Sequence, residues 1–142
     1  MSSRKPPPRS LWVVLVALAA CHPGPAPAPE AAYRAFVTAY AKGDADAAWA
    51  LVSSGTQAAL TRAAQEAAAA EHVKPPKDGE LLMFQGDVLP QKIKDVSVGE
   101  KRGDRVELAV TDDAGGQEKV SLVREQGKWR VDLTAELAHA AR

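Results

Sequence analysis

The apolar residues of this chain change their spacing once, near residue 85, and that change restricts the fold more than any other feature. Before it, Tyr33, Phe36, Val37 and Tyr40 recur at i, i+3, i+4 and i+7, which predicts a helix with one apolar face ending at Gly43. Asp44 suits an N-cap, and Ala45, Ala48, Trp49 and Val52 repeat the spacing up to the Ser53-Ser54-Gly55 break. A third helix is expected from about residue 56 to 73, with Ser54 and Gln57 at capping-box spacing and Pro75-Pro76 as its stop. Its stripe is mostly alanine around Leu60, so it either packs very closely or lies on the surface. The run 81–84 (LLMF) fits neither period. Beyond it Val96 and Val98, Val106, Leu108 and Val110, Val120 and Leu122, and Trp129, Val131 and Leu133 alternate with polar residues, which predicts four half-buried strands. Arg102-Gly103-Asp104, residues 112–116 and Gln126-Gly127 make short hairpin connections, so the strands form an antiparallel meander with one wet face. The expected class is α+β, with three amphipathic helices covering the dry face.

The chain start carries a second kind of information. Arg4, Lys5 and Arg9 precede an uncharged apolar run at 11–20 (LWVVLVALAA), the layout of a secretory signal. Ten residues rise about 15 Å as a helix, far short of the ~20 residues a membrane span needs. The run stops at Leu18-Ala19-Ala20-Cys21, and these four residues resemble the bacterial lipobox. The resemblance implies that residues 1–20 are removed and that Cys21 carries a thioether-linked diacylglycerol and an acylated amino group, anchoring the chain in a lipid bilayer. The segment 21–29, with HPGPAPAP after the cysteine, is then an extended, polyproline-like tether of about 25 Å. His22 stands where an aspartate would resemble an inner-membrane retention signal. In a Gram-negative host this favours the outer membrane, facing the periplasm.

Removal of the signal leaves residues 21–142, the size of one domain. All 18 acidic residues lie in that part but only 18 − 3 = 15 of the Lys and Arg, giving a formal charge of 15 − 18 = −3. Such a balance is poorly suited to binding nucleic acid through phosphate neutralisation. Cys21 is the only cysteine, so no folding disulfide can form and the domain at 30–142 must stand on its apolar core.

Two stretches of that domain carry a family resemblance. The helical AYRAFVTAYAKGDADAAWALVSSGTQAAL, with its Lys42-Gly43-Asp44-Ala45 step and tryptophan-bearing second helix, precedes strands ending in VSLVREQGKWRVDL. Together they resemble the nuclear-transport-factor-2-like proteins, in particular the bacterial lipoproteins of that superfamily. The resemblance implies a cone in which N-terminal helices pack on a curved antiparallel sheet and enclose a pocket, a fold that hosts enzymes, carriers and interaction modules alike.

Catalytic members of that superfamily place an aspartate or histidine base with tyrosine or aspartate donors inside the cone. Here Tyr33 and Tyr40 sit on a core face, where packing is the commoner role for tyrosine. Asp44 belongs to a cap, Asp112-Asp113 to a turn, and Asp87 is the carboxylate with least structural explanation. His22, His72 and His139 share no metal-ligand spacing, and no phosphate-binding glycine loop occurs. No catalytic residue, metal or cofactor is therefore assigned. Lys92, Lys94, Lys101, Arg102 and Arg105 form one basic cluster, read as a solvated sheet face. Trp49 and Trp129 are expected to pack in the core; if the cone is hollow, they form its aromatic wall with Phe36 and Tyr40. The leading functional expectation is a non-catalytic envelope interaction or assembly module, followed by a carrier or sensor of a small, largely apolar ligand, with an enzyme last. An exposed apolar patch along the alanine face of the third helix or around residues 81–84 would favour the first. A buried, perturbed carboxylate beside Tyr33 or Tyr40 would favour the last. The sequence leaves the oligomeric state open.

Overall fold

The structure is a computed structural model that describes residues 26–85 and 92–140; the signal segment, Cys21, His22 and Asp87 lie outside the described residues. Four α-helices, α1 (Pro29–Ala41), α2 (Ala45–Leu51), α3 (Ser54–Ala70) and α4 (Thr134–Ala140), accompany a short 3-10 helix at Glu80–Phe84. The strands are β1 (Ile93–Arg102), β2 (Arg105–Asp112), β3 (Gln117–Glu125) and β4 (Lys128–Asp132). They pair antiparallel in the order β1-β2-β3-β4, the meander expected from the alternation. The protein is α+β.

The first two helices form for the reasons their sequence suggests. Pro29 opens α1, where its missing N–H costs nothing. Gly43, at φ +68°, ends the helix by letting the Asp44 N–H return to the Ala39 carbonyl (3.0 Å) and its own N–H to that of Tyr40 (2.9 Å). Asp44 then caps α2 by accepting from the Ala47 N–H at 3.1 Å. The buried face of α1 comprises Ala32, Tyr33, Phe36 and Ala39.

The start of α3 differs from expectation. Its N-cap is Ser53, whose Oγ accepts from the Thr56 N–H at 3.0 Å; Ser54 instead bonds through its N–H and Oγ to the Glu125 carboxylate. The reason is tertiary. Val52 bridges β4 at Val131, and the Ser53 N–H donates to the Val131 carbonyl at 2.8 Å, so the chain leaves α2 along the edge of the sheet. Asp132, only 5% exposed, completes this junction: its Oδ1 accepts from Ser53 Oγ (3.1 Å) and Thr134 Oγ1 (2.9 Å), while Arg105 reaches Oδ2 at 3.2 Å. The Leu133 N–H donates to Thr56 Oγ1 at 2.8 Å.

The layer arrangement is also corrected. The principal sheet contacts come from α1, which lies against β1, β2 and β4, and from α2, which meets β4; α3 packs on the 3-10 helix and α4. On the covered face Val96 lies opposite Val110, Leu108 opposite Val120, and Leu122 opposite Val131, all buried with Tyr33 and Phe36 in one cluster. His139 lies in the last turn of α4.

Candidate functional site

Two regions combine exposed or titratable side chains with a defined shape. The first is a groove of about 620 Å³ between α3 and the 3-10 helix. Its geometry begins at Gly79. That glycine lies against the backbone of α3 so closely that a Cβ would sit 2.2 Å from the Leu60 carbonyl carbon, and its N–H donates to Thr61 Oγ1 at 3.1 Å. The following turn buries Met83 and stacks Phe84 on Tyr40, ring centroids 4.8 Å apart. With that side committed inward, Leu81 points out and is 73% exposed.

The opposite wall is the alanine stripe of α3. Ala64 and Ala68 are buried and Ala67 is exposed, and none carries bulk enough to fill the gap toward Leu81, Leu82 and Pro76. Val73, 55% exposed, closes one end beyond His72, which takes φ +56° at the end of α3. Glu71, Lys74, Lys77 and Glu80 supply charges of both signs around the opening. Burial first, then the carboxylates of Asp46 and Asp78, push the Glu80 carboxyl above its usual range. A small-residue floor with apolar walls and a charged border suits an apolar segment of another molecule.

The second region is the covered face of the sheet. Tyr33, without exposed surface, donates its hydroxyl to Glu118 Oε1 on β3 at 3.3 Å. Burial, reinforced by the charge of Glu118, pushes the tyrosine well above its ordinary value. Partial burial likewise raises the Glu118 carboxyl; the Tyr33 hydrogen bond opposes that rise, and Asp112 and Glu136 add to it. Glu118 is nevertheless an exposed residue, so the pair sits where the core meets solvent rather than in a closed active site.

The four residues proposed from sequence for a pocket wall are distributed over this face. Phe36 is buried and meets Tyr40 at 6.2 Å between ring centroids, while Tyr40 and Trp49 are half-buried against the core. Trp129 is buried near the other end of the sheet, with Lys101 Nζ 5.7 Å from its ring centroid. None of these four lines the α3 groove, the depression beside Arg105 and Glu107, or that between α1 and α2.

The basic cluster read from the sequence does not act as one surface. Lys101 covers Trp129, Arg102 pairs with Glu100 at 2.6 Å, and Arg105 holds Asp132. A bulge is responsible: the register slips between Val98 and Lys101, which brings Lys101 opposite Val106 and onto the covered face. Gly99, isolated within a strand pattern, was the available signal. Glu118 and Asp132 carried no such signal, because each looks like an ordinary strand polar residue. Asp112 serves its turn, its Oδ1 accepting from the Gly116 N–H at 2.7 Å.

Among the described residues no group of three or more His, Cys, Asp or Glu could hold a metal ion, and no helix is long and apolar enough to cross a membrane. Comparison with family models, curated proteins and solved structures finds no match to the chain.

Proposed function

We propose that the protein is a lipid-anchored envelope lipoprotein whose domain is a non-catalytic, nuclear-transport-factor-2-like module that docks another envelope protein through the α3 groove. The observation that carries the docking assignment is the groove itself: an apolar, open depression with Leu81 and Val73 in solvent, at one of the two places where an interaction surface was expected. The cone-like assignment draws on curvature. Side chains standing perpendicular on β1 and β4 of a flat sheet stay about 14 Å apart, three strand spacings. The contact of Lys101 with Trp129 needs the sheet to curl or the side chains to lean inward. The anchor assignment rests on the sequence at 4–21 alone, and the outer-membrane, periplasm-facing location on His22 in a Gram-negative host.

A photo-crosslinking residue at position 81 of the full chain, expressed in a bacterial envelope, tests the docking face. One discrete adduct, lost when Ala67→Glu fills the groove and unchanged when the exposed Ala58→Glu alters another face of α3, is the expected result. Adducts unaffected by Ala67→Glu would reject it. Cys21→Ala should abolish acyl labelling and release the protein from membranes; retention with unchanged labelling would remove the anchor from the proposal.

A second reading draws on Phe36, Tyr40 and Phe84, an aromatic cluster in which Tyr40 and Phe84 are half-buried. Such a cluster would supply the aromatic wall that a carrier of a small apolar ligand needs. Native mass spectrometry separates the readings, since a carrier shows excess mass that disappears on denaturation.

A further inference from the structure

The two edges of the sheet are finished differently. On the β4 side, Val52 and Ser53 lie along Val131, and the Ser53 N–H occupies its carbonyl. On the other side β1, ten residues long, pairs only with β2 among the described strands. All of its residues except Ile93 and Val96 are exposed, including Val98 at 44%. An open strand edge is a template for another strand.

We propose that this edge takes β1 of a second copy, antiparallel, about a two-fold axis at Ser97. The order of residues along the strand selects both partner and register. With Ser97 opposite Ser97, Val96 of each copy faces Val98 of the other, so the exposed Val98 gains an apolar cross-strand neighbour twice over. The same register brings Lys94 of each copy and Glu100 of the other to the two ends of the ladder, where long side chains of opposite charge come within reach of each other. Shifting the axis to Val98 instead opposes Lys94 and Arg102, and shifting it to Val96 leaves Val98 facing Lys94.

Glu100 already meets Arg102 of its own strand, but both side chains are largely exposed, and such a pair does not hold the glutamate against a second cation. The register slips at both ends of β1 set the extent of pairing. Regular strand geometry is confined to residues 95–98, so the ladder is short and does not run into the flanks. Because Val52 and Ser53 occupy the middle of the β4 edge at Val131, β1 is the edge left to pair among the described strands, and association closes at two instead of growing into a fibre.

The test is disulfide capture in the full chain. Ser97→Cys, oxidised in intact cells, should give a reducible dimer above the level of the parent chain, which carries Cys21 alone, while Ala109→Cys in the middle of the sheet should not. Paired residues lie about 4.5–5.5 Å apart at Cα, within disulfide reach. Glu100→Lys and Lys94→Glu should each lower capture several-fold, and the two together should restore it. Sedimentation of the detergent-solubilised charge variants should rank them in the same order without any added cysteine. No capture at position 97, capture indifferent to the charge reversals, or capture only by another protein would each overturn the proposal.

Discussion

On the covered side of the sheet, Tyr33 and Phe36 share one cluster with Leu108, Leu122 and Val131, all with 1% of their surface exposed or less. The layer between α3 and the 3-10 helix is built differently: Leu60, Ala64 and Ala68 are buried, but Leu81 and Val73 remain in solvent, and adhesion depends on a glycine flush against backbone. Large interdigitating side chains hold a surface shut, whereas small ones allow close approach with little area removed from water. The lesson is a division of labour: the sheet side supplies stability, and the α3 side keeps the lower local stability from which binding surfaces are drawn.

The strongest way to break that comparison is to truncate one large apolar side chain on each side. Trp129→Ala should cost about 3–5 kcal/mol, and Leu81→Ala no more than about 0.5 kcal/mol. Thermal or urea unfolding of the two variants decides it; a Trp129→Ala domain with the wild-type melting temperature would show that this side is not the stabilising one. Next in size, Gly79→Ala should destabilise by about 1–3 kcal/mol by forcing the 3-10 helix off α3. Hydrogen exchange should then quicken around residues 80–84 before the strands, and uniform acceleration would argue that the two layers are one cooperative unit.

A smaller effect sharpens the boundary at Glu118. Its folded-state pKa is raised, so the native state binds this proton more tightly than the unfolded chain does. The contribution is fully present below the ordinary glutamate range, about pH 4.3, and is lost as pH rises through the raised value. Wild-type stability should therefore decline relative to Glu118→Gln as pH climbs from about 4 to 7. Parallel curves for the two proteins would remove the linkage. The smallest expected change is a gain. His72 and Gln126 hold positive φ, one in each region, and replacing either by glycine should stabilise by about 0.5–1 kcal/mol, read as a raised melting temperature.

Legibility in the sequence followed the same division. The stripe of α1, the Gly43-Asp44 step and the four alternating strands could be read because each rests on local period or capping chemistry. Period names the face of a helix but not what covers it, which is why α3 was expected on the sheet instead of against the 3-10 helix. Ser53 and Ser54 are equally good caps in isolation; Glu125, 71 positions away, removes Ser54 from the choice. Lys101 reached the covered face through a bulge that alternation cannot register. Of the candidate site, residues 81–84 and the alanine face of α3 could be named as places where an apolar patch would matter, but neither the exposure of Leu81 nor the groove was legible, because both depend on how closely Gly79 approaches α3.

The junction at Asp132 bears on the order in which the chain can close. Ser53 and its carboxylate partner are 79 positions apart, and the strand that carries the carboxylate is the last of the four to leave the ribosome. The cap of α3, Ser53 Oγ on the Thr56 N–H, is local, but the bond from that hydroxyl to Asp132 waits for almost the whole domain to be made. The end of α1 and the start of α2 are fixed at Gly43 and Asp44 by bonds within a few residues and need no such delay. A chain interrupted before residue 128 would hold the first two helices, three strands with β3 as an unfinished edge, and an α3 without the Val131 and Asp132 contacts that fix its beginning to the sheet. Completion of synthesis is then the event that latches the domain.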